Sequence, residues 1–214
     1  MGERLICIII GYIFGLFQTS YIYGKMKGID IREHGSGNAG STNALRTMGA
    51  KAGALAFLGD CSKCILSMLV TYFIFRNSHP DTVKLLTVYA AAGTILGHNF
   101  PFYLKFKGGK GIACTAGLLF MFDLRVMTAA LIVFLLIYFT THYVSLGSIM
   151  VYVTFVAGCI ILGQMGLLDV SDKVLPEMYI LVILLAVLAI WKHRANIVRL
   201  IHGEESKVFV KKKK

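Results

Sequence analysis

Residues 35–46, GSGNAGSTNALR, set three glycines, three hydroxyl side chains, two asparagines and an arginine between two long apolar stretches. Glycines let successive backbone N–H groups turn toward one anion. Ser36, Ser41 and Thr42 add hydroxyl donors, Asn43 an amide, and Arg46 a fork that grips a phosphate bidentately. A helix opening near Thr42 would add the partial positive charge of its N-terminus. Gly35-x-Gly37-x-x-Gly40 imitates a dinucleotide fingerprint, but that fingerprint needs a strand before it. No lysine follows Gly40, so this is not a Walker A loop either. A glycine-rich turn with helix caps is the plain alternative, although caps alone do not call for this density of donors.

Two further polar islands follow. In residues 97–115, GHNFPFYLKFKGGKGIACT, Lys105, Lys107 and Lys110 bracket Gly108, Gly109 and Gly111. Ammonium groups beside compliant backbone suit a small phosphorylated ligand. Lysines alone would fit an ordinary basic loop, but the Gly-Gly-Lys-Gly run is not needed for that. In residues 191–207, WKHRANIVRLIHGEESK, His193 and Asn196 share a helix face, with Arg199 close to it. His193 has the pKa range for proton handling, yet basic residues after a last span are commonplace. Ser145 and Ser148 sit between the fifth and sixth apolar runs. No G-x-S-x-G elbow, no His-x4-Asp pair and no H-E-x-x-H spacing occurs, so serine-elbow, His-Asp and metal chemistry lack their residues. No metal or other cofactor is expected.

The elements that must position these islands are membrane helices. The 214-residue chain is 57% hydrophobic and only 15% charged, with mean hydropathy +0.71, against about 25% charged in soluble domains. Apolar runs predict spans near 5–23, 52–75, 85–96, 112–122, 126–141, 149–167 and 179–191. Residues 1–23 lack a small-x-small cleavage site and read as a retained first span. With seven crossings, sixteen Lys and Arg fall on the side of the three islands and five on the other. That asymmetry places the N-terminus outside and the C-terminus in the cytoplasm. A five-span arrangement, merging two pairs of runs, has the same parity. The net charge of +11 flanks the apolar runs, which argues for a membrane surface and against nucleic acid. Residues 1–207 read as one all-α integral-membrane domain, followed by a basic tail at 208–214. Asp60 and Lys63, three apart inside the second run, predict an internal ion pair. The odd count of five cysteines implies no disulfide framework, and Cys61-x-x-Cys64 reads as packing.

The three islands together resemble the bacterial acyl-phosphate:glycerol-3-phosphate acyltransferases, whose motifs run roughly GSGNPGATNxxR, GHxFPxxxxFKGGKGxAT and HRxNIxRLxxGxE. This chain carries all three in order, and the resemblance covers essentially its whole length. Ala39, Ser41, Cys64, Cys114 and Ala195 depart from the usual Pro, Ala, Gly, Thr and Glu. The resemblance implies a seven-helix enzyme of the bacterial inner membrane with its site toward the cytoplasm. It implies transfer of a fatty acyl group from acyl phosphate to the 1-hydroxyl of sn-glycerol 3-phosphate, the first acylation of phospholipid synthesis, beside membrane lipid. Residue by residue, it assigns Ser36, Thr42, Asn43, Arg46, Lys107, Gly108, Gly109 and Lys110 to substrate phosphates. His193, Asn196 and Ser145 are assigned to catalysis, and Glu205 to bracing. The base is left open between His193 and a substrate phosphate. A transporter of a phosphorylated metabolite is the rival reading, though such proteins bind at the midplane between broken helices. A non-catalytic lipid-binding scaffold would have no use for the His193/Asn196 pair.

Overall fold

A computed structural model describes residues 1–208. Among the described residues the regular elements are ten α-helices and two short 3-10 turns. The helices are α1 (Gly2–Gly15), α2 (Thr19–Met26), α3 (Ser41–Met48), α4 (Ala50–Phe75), α5 (Val83–Asn99), α6 (Ile112–Phe122), α7 (Leu124–Thr141), α8 (Val144–Gln164), α9 (Leu175–Lys192) and α10 (Arg194–Ile201). Large apolar side chains such as Leu136, Phe139, Ile180 and Leu184 point outward. A helix apolar on its outer face as well as its inner one needs lipid around it.

Each predicted apolar run is helical, but among the described residues five segments are long and apolar enough to cross a membrane: Gly2–Met26, Ala50–Phe75, Leu124–Thr141, Val144–Gln164 and Leu175–Lys192. Two runs differ from the full-length spans anticipated. The 17-residue α5 has most of its side chains buried within the protein, so it faces other helices and not lipid. The 11-residue α6 reaches about 17 Å, well short of the ~30 Å hydrocarbon core. It ends because Asp123 caps the next helix, its carboxylate accepting from the Arg125 and Val126 N–H groups. The first run is also interrupted. α1 stops at Gly15 and α2 restarts at Thr19, leaving backbone carbonyls in between that must find partners.

The chain divides into two compact units, residues 1–122 with 170–174, and residues 123–169 with 175 onward. In the first, α1 and α5 pack through two small-residue repeats, Gly11/Gly15 and Gly93/Gly97. A Cβ on Gly11 or Gly15 would strike the backbone of Ala90 or Thr94, and one on Gly93 or Gly97 would strike Ile8 or Tyr12. The four glycines therefore interlock, and the backbones approach more closely than any side chain allows. α4 joins them through Ser67 Oγ, 2.7 Å from Thr94 Oγ1. In the second unit α7 and α8 form a hairpin turning at His142, which is left-handed with φ 62°. Gly147 and Gly158 of α8 admit Phe134 and Val126 of α7, and Gly163 admits Tyr179 of α9. The segment after α10 returns to that hairpin, where Val208 N–H donates to His142 O at 3.2 Å. The anticipated basic tail lies outside the described residues beyond Val208.

Gly97→Val should lower the thermal midpoint of the detergent-solubilised protein, at the upper end of the ~1–3 kcal/mol typical of overpacking. Gly2→Ala, with open space around the new methyl, should leave the midpoint unchanged. Thermal unfolding of both variants checks the contrast.

Candidate active site

The first island is wound into a fixed loop within the first unit. Asp30 opens a 3-10 turn, Ile31–Glu33, by accepting the Arg32 N–H at 3.0 Å. The same carboxylate takes Arg32 Nε at 3.0 Å and Nη2 at 2.7 Å. Bonding by the Arg32 guanidinium, more than offsetting burial, holds the Asp30 carboxyl well below the usual carboxylate range. Asn43 closes the loop from inside. Its Oδ1 accepts Ser36 N–H at 2.9 Å, while Nδ2 donates to Ile31 O at 3.1 Å and His34 O at 2.9 Å. Gly35 and Gly37 take positive φ (60° and 69°) to make the turn. α3 then begins at Ser41, with Ser41 and Thr42 in its first turn. Arg46 follows one turn later on the same side as Thr42 and Asn43, and is exposed.

The second island lies against the end of α5 in the same unit. Phe102–Leu104 form a 3-10 turn, and Lys105 and Phe106 both adopt positive φ (55° and 59°), reversing the chain. Gly108 N–H donates to Asn99 O at 3.3 Å and Gly109 N–H to His98 O at 3.1 Å. The two glycines thus lie flat on the last turn of α5, where a Cβ on Gly108 would strike the His98 carbonyl. Lys107 is exposed, Lys110 half-buried, and α6 begins just beyond at Ile112. Arg32 Nη1 reaches Leu104 O at 3.3 Å, so this side chain ties the first island to the second.

Behind the loops lies a buried polar cluster. Lys63 Nζ is 2.8 Å from Asp60 Oδ1, 2.6 Å from Phe17 O, 3.3 Å from Gly15 O and 2.9 Å from His98 Nδ1. Thr19 Oγ1 donates to Asp60 Oδ1 at 3.2 Å. The remaining carbonyl at the interruption of the first run, Leu16 O, accepts the Tyr103 hydroxyl at 2.6 Å. Gln18 Nε2 spans the gap to His98 O at 3.0 Å.

In the second unit the third island is organised by a carboxylate. Glu205 Oε1 accepts Ser145 Oγ at 2.9 Å and Asn196 Nδ2 at 2.7 Å, and Oε2 accepts Arg199 Nε at 2.8 Å. Burial would raise the Glu205 carboxyl, but the bonds from Asn196, Arg199 and Ser145 together hold it below its ordinary value. His193 is buried at the start of α10, with Nδ1 2.8 Å from Ala189 O. A carbonyl can only accept, so Nδ1 carries the proton, and in the neutral ring Nε2 holds the lone pair.

Of the residues singled out from sequence, the first unit brings Ser36, Thr42, Asn43 and Arg46 onto one loop and helix start. It sets Lys107, Gly108, Gly109 and Lys110 in a second loop tied to the first. The second unit gathers Ser145 and Asn196 around the Glu205 carboxylate, with His193 three residues before Asn196. Asn43, Ser145 and Asn196 spend hydrogen bonds on holding structure. Gln18, Arg32, His98 and Tyr103 were not anticipated from sequence. Gln18 and His98 carried a readable signal, since Gln18 is a polar residue inside the first apolar run and His98 lies just past the third. Arg32 and Tyr103 act on distant carbonyls and carried none.

Replacing Glu205 with Gln keeps an acceptor for Ser145 and Asn196 but loses the charge facing Arg199, and should cost about 1.5–3 kcal/mol. A carboxyl depressed in the folded state stabilises fully above its unfolded pKa of ~4.3, and that stabilisation fades as pH falls through the folded value. The wild-type advantage in thermal midpoint over Glu205→Gln should therefore be constant from pH 8 to 5 and shrink below pH 4.

Comparison with known proteins places the whole chain in one family. The family model described as glycerol-3-phosphate acyltransferase matches residues 5–203. The glycerol-3-phosphate acyltransferase of Clostridioides difficile (strain 630) is 39% identical over 209 residues, covering 97% of each chain. That of Alkaliphilus metalliredigens (strain QYMF) is 41% identical over 208 residues, covering 96% of each. Among solved structures, PlsY, an integral membrane glycerol 3-phosphate acyltransferase, matches in its glycerol 3-phosphate form with TM-score 0.81 and 31% identity, over 97% of this chain and 96% of that one. Its lysophosphatidic acid form matches with TM-score 0.78 and 30% identity, over 96% and 95%. With a family match spanning nearly the whole chain and both glycine-rich motifs built into tied loops, this multi-pass membrane protein belongs to the glycerol-3-phosphate acyltransferase family.

Proposed function

We propose that this protein acylates the 1-hydroxyl of sn-glycerol 3-phosphate from a fatty acyl phosphate, releasing lysophosphatidic acid and inorganic phosphate. The observation that carries the reading is the pair of tied, glycine-rich basic loops in the first unit, suited to anionic head groups, in a protein whose lipid-facing helices suit a long acyl chain. Acyl phosphate is already activated, so the demand on the protein is to position the reactants and stabilise charge. The hydroxyl oxygen bonds to the acyl carbon, the carbon–oxygen bond to phosphate breaks, and the departing phosphate keeps the electron pair.

Arg46, Lys107 and Lys110 neutralise phosphate oxygens in this reading and Ser36 and Thr42 donate to them, while Gly108 and Gly109, their N–H groups taken by Asn99 O and His98 O, let the loop lie flat beside the phosphate. Asn43 keeps the first loop in shape. His193 serves the reaction through Nε2, whose lone pair can take the hydroxyl proton, while Nδ1–H to Ala189 O holds the tautomer. Asn196 and Ser145 are held for their roles by Glu205. Seven apolar segments with the islands on the cytoplasmic side of a bacterial inner membrane suit a water-soluble acceptor and a lipid product. The interruption of the first run does not favour a transporter, because side chains of this protein satisfy its carbonyls.

Purified protein given labelled glycerol 3-phosphate should move label into extractable lipid with palmitoyl phosphate and not with palmitoyl-CoA. Label that stays aqueous with palmitoyl phosphate would contradict the reading. Arg46→Ala should lower kcat/KM by at least about 100-fold, or ~2.7 kcal/mol, with an unchanged thermal midpoint. His193→Gln separates the two proton acceptors: turnover within about twofold of wild type would transfer that role to a substrate phosphate.

A further inference from the structure

The cluster behind the loops has a property its neighbours lack. Asp60, Lys63 and His98 are ionisable and at most 4% exposed among apolar helices. The carbonyls of Gly15 and Phe17 account for Lys63, and Lys63 accounts for Asp60, but neither demand accounts for the His98 ring beside them.

Lys63 Nζ faces four acceptors: Phe17 O, Asp60 Oδ1, His98 Nδ1 and Gly15 O. The ammonium has three N–H groups for these four, and Gly15 O, the farthest, is also served by Gln18; with Nδ1 of His98 accepting from Lys63 at 2.9 Å, the neutral imidazole carries its proton on Nε2. Nε2 lies directly against Gly109, where an added Cβ would overlap the ring at Nε2, Cδ2 and Cε1. The His98 carbonyl meanwhile accepts the Gly109 N–H at 3.1 Å and the Gln18 amide at 3.0 Å. His98 thus touches the loop with its ring and its backbone, and its ring is oriented by Lys63, which Asp60 holds.

We propose that His98 is a positioning residue for phosphate binding: its imidazole, fixed by Lys63 and Asp60, sets the seat of Gly109 and so the placement of Lys107 and Lys110 beside a substrate phosphate. The proposal rests on the functional reading above. It assigns the glycine at 109 a second purpose, since any side chain there would displace the ring as well as narrow the loop.

Three variants and their combination test it. His98→Asn keeps an acceptor where Nδ1 stood, so Lys63 stays satisfied, but withdraws the group at Nε2. It should raise KM for one phosphate substrate about tenfold, with kcat and the other KM within twofold. His98→Gln, whose amide nitrogen reaches the Nε2 position, should stay within about threefold of wild type. Gly109→Ala should raise the same KM as His98→Asn. The double variant should be no worse than either single one, because the shorter side chain makes room for the methyl. Unchanged kinetics in His98→Asn, equal rises in both KM values, or additive effects in the double variant would overturn the proposal. If His98→Asn does not fold, Gly109→Ala decides alone, and an unchanged KM there counts against it. Equilibrium binding of glycerol 3-phosphate and of inorganic phosphate, without donor, repeats the comparison independently of turnover. A wild type that binds phosphate with the expected variant pattern yet forms no lipid would refute the reaction and leave the positioning role standing.

Discussion

A backbone carbonyl in an apolar surrounding must be given a donor, and much of the first unit is arranged around meeting that demand at one place. The first apolar run breaks between Gly15 and Thr19. Lys63 supplies donors to Gly15 O and Phe17 O, Tyr103 to Leu16 O, and Gln18 to Gly15 O. Each donor comes with consequences. Lys63 is a charge and draws Asp60 beside it; Tyr103 belongs to the second island and brings that loop onto the break; Gln18 also binds the last carbonyls of α5. The break is thus the point at which α1, α4, α5 and the glycine-rich loop are joined. Close approach of α1 and α5 makes these short bonds reachable, and the interlocked glycines make the close approach.

The two units stiffen their polar motifs by different means. In the first, amide and guanidinium side chains hold backbone: Asn43 bonds three backbone groups of its loop, and Arg32 bridges from Asp30 to Leu104 O. These bonds hold the loop's shape from within the protein. In the second, a single buried carboxylate gathers side chains from α8 and α10. Its acceptor-only character allows three donors to converge without competing. Both arrangements fix geometry from within the protein, which suits the proposed transfer from an already activated donor.

Much of this was legible in the sequence. Hydropathy found every apolar helix, and density of glycine, hydroxyl and basic residues found both loops. The three-residue spacing of Asp60 and Lys63 foretold a pair on one face of α4. Hydropathy drew the fourth run at 112–122, the bounds of α6 and already short for a span, but it did not reveal that α5 is enclosed, because it measures composition and not which neighbours surround a helix. The break after Gly15 was hidden for a related reason. Leu16 and Phe17 are as apolar as their neighbours, and what permits the break is a set of donors 45 to 90 residues away. The Gly-x-x-x-Gly repeats at 11/15 and 93/97 were readable and would have paired α1 with α5. Glu205 as the hub of its motif was less so, since Ser145 lies 60 residues before it.

The proposed function has the polar islands at 35–46 and 105–111 hold the head groups, with the island at 193–205 serving the acyl transfer. Hydrogen–deuterium exchange of the purified protein, with and without saturating glycerol 3-phosphate and an unreactive acyl phosphonate, reads this out amide by amide. The account predicts slowed exchange concentrated in those three segments, with the connection at 166–174 unaffected. Protection confined to other segments, or none while both ligands are demonstrably bound, would contradict it.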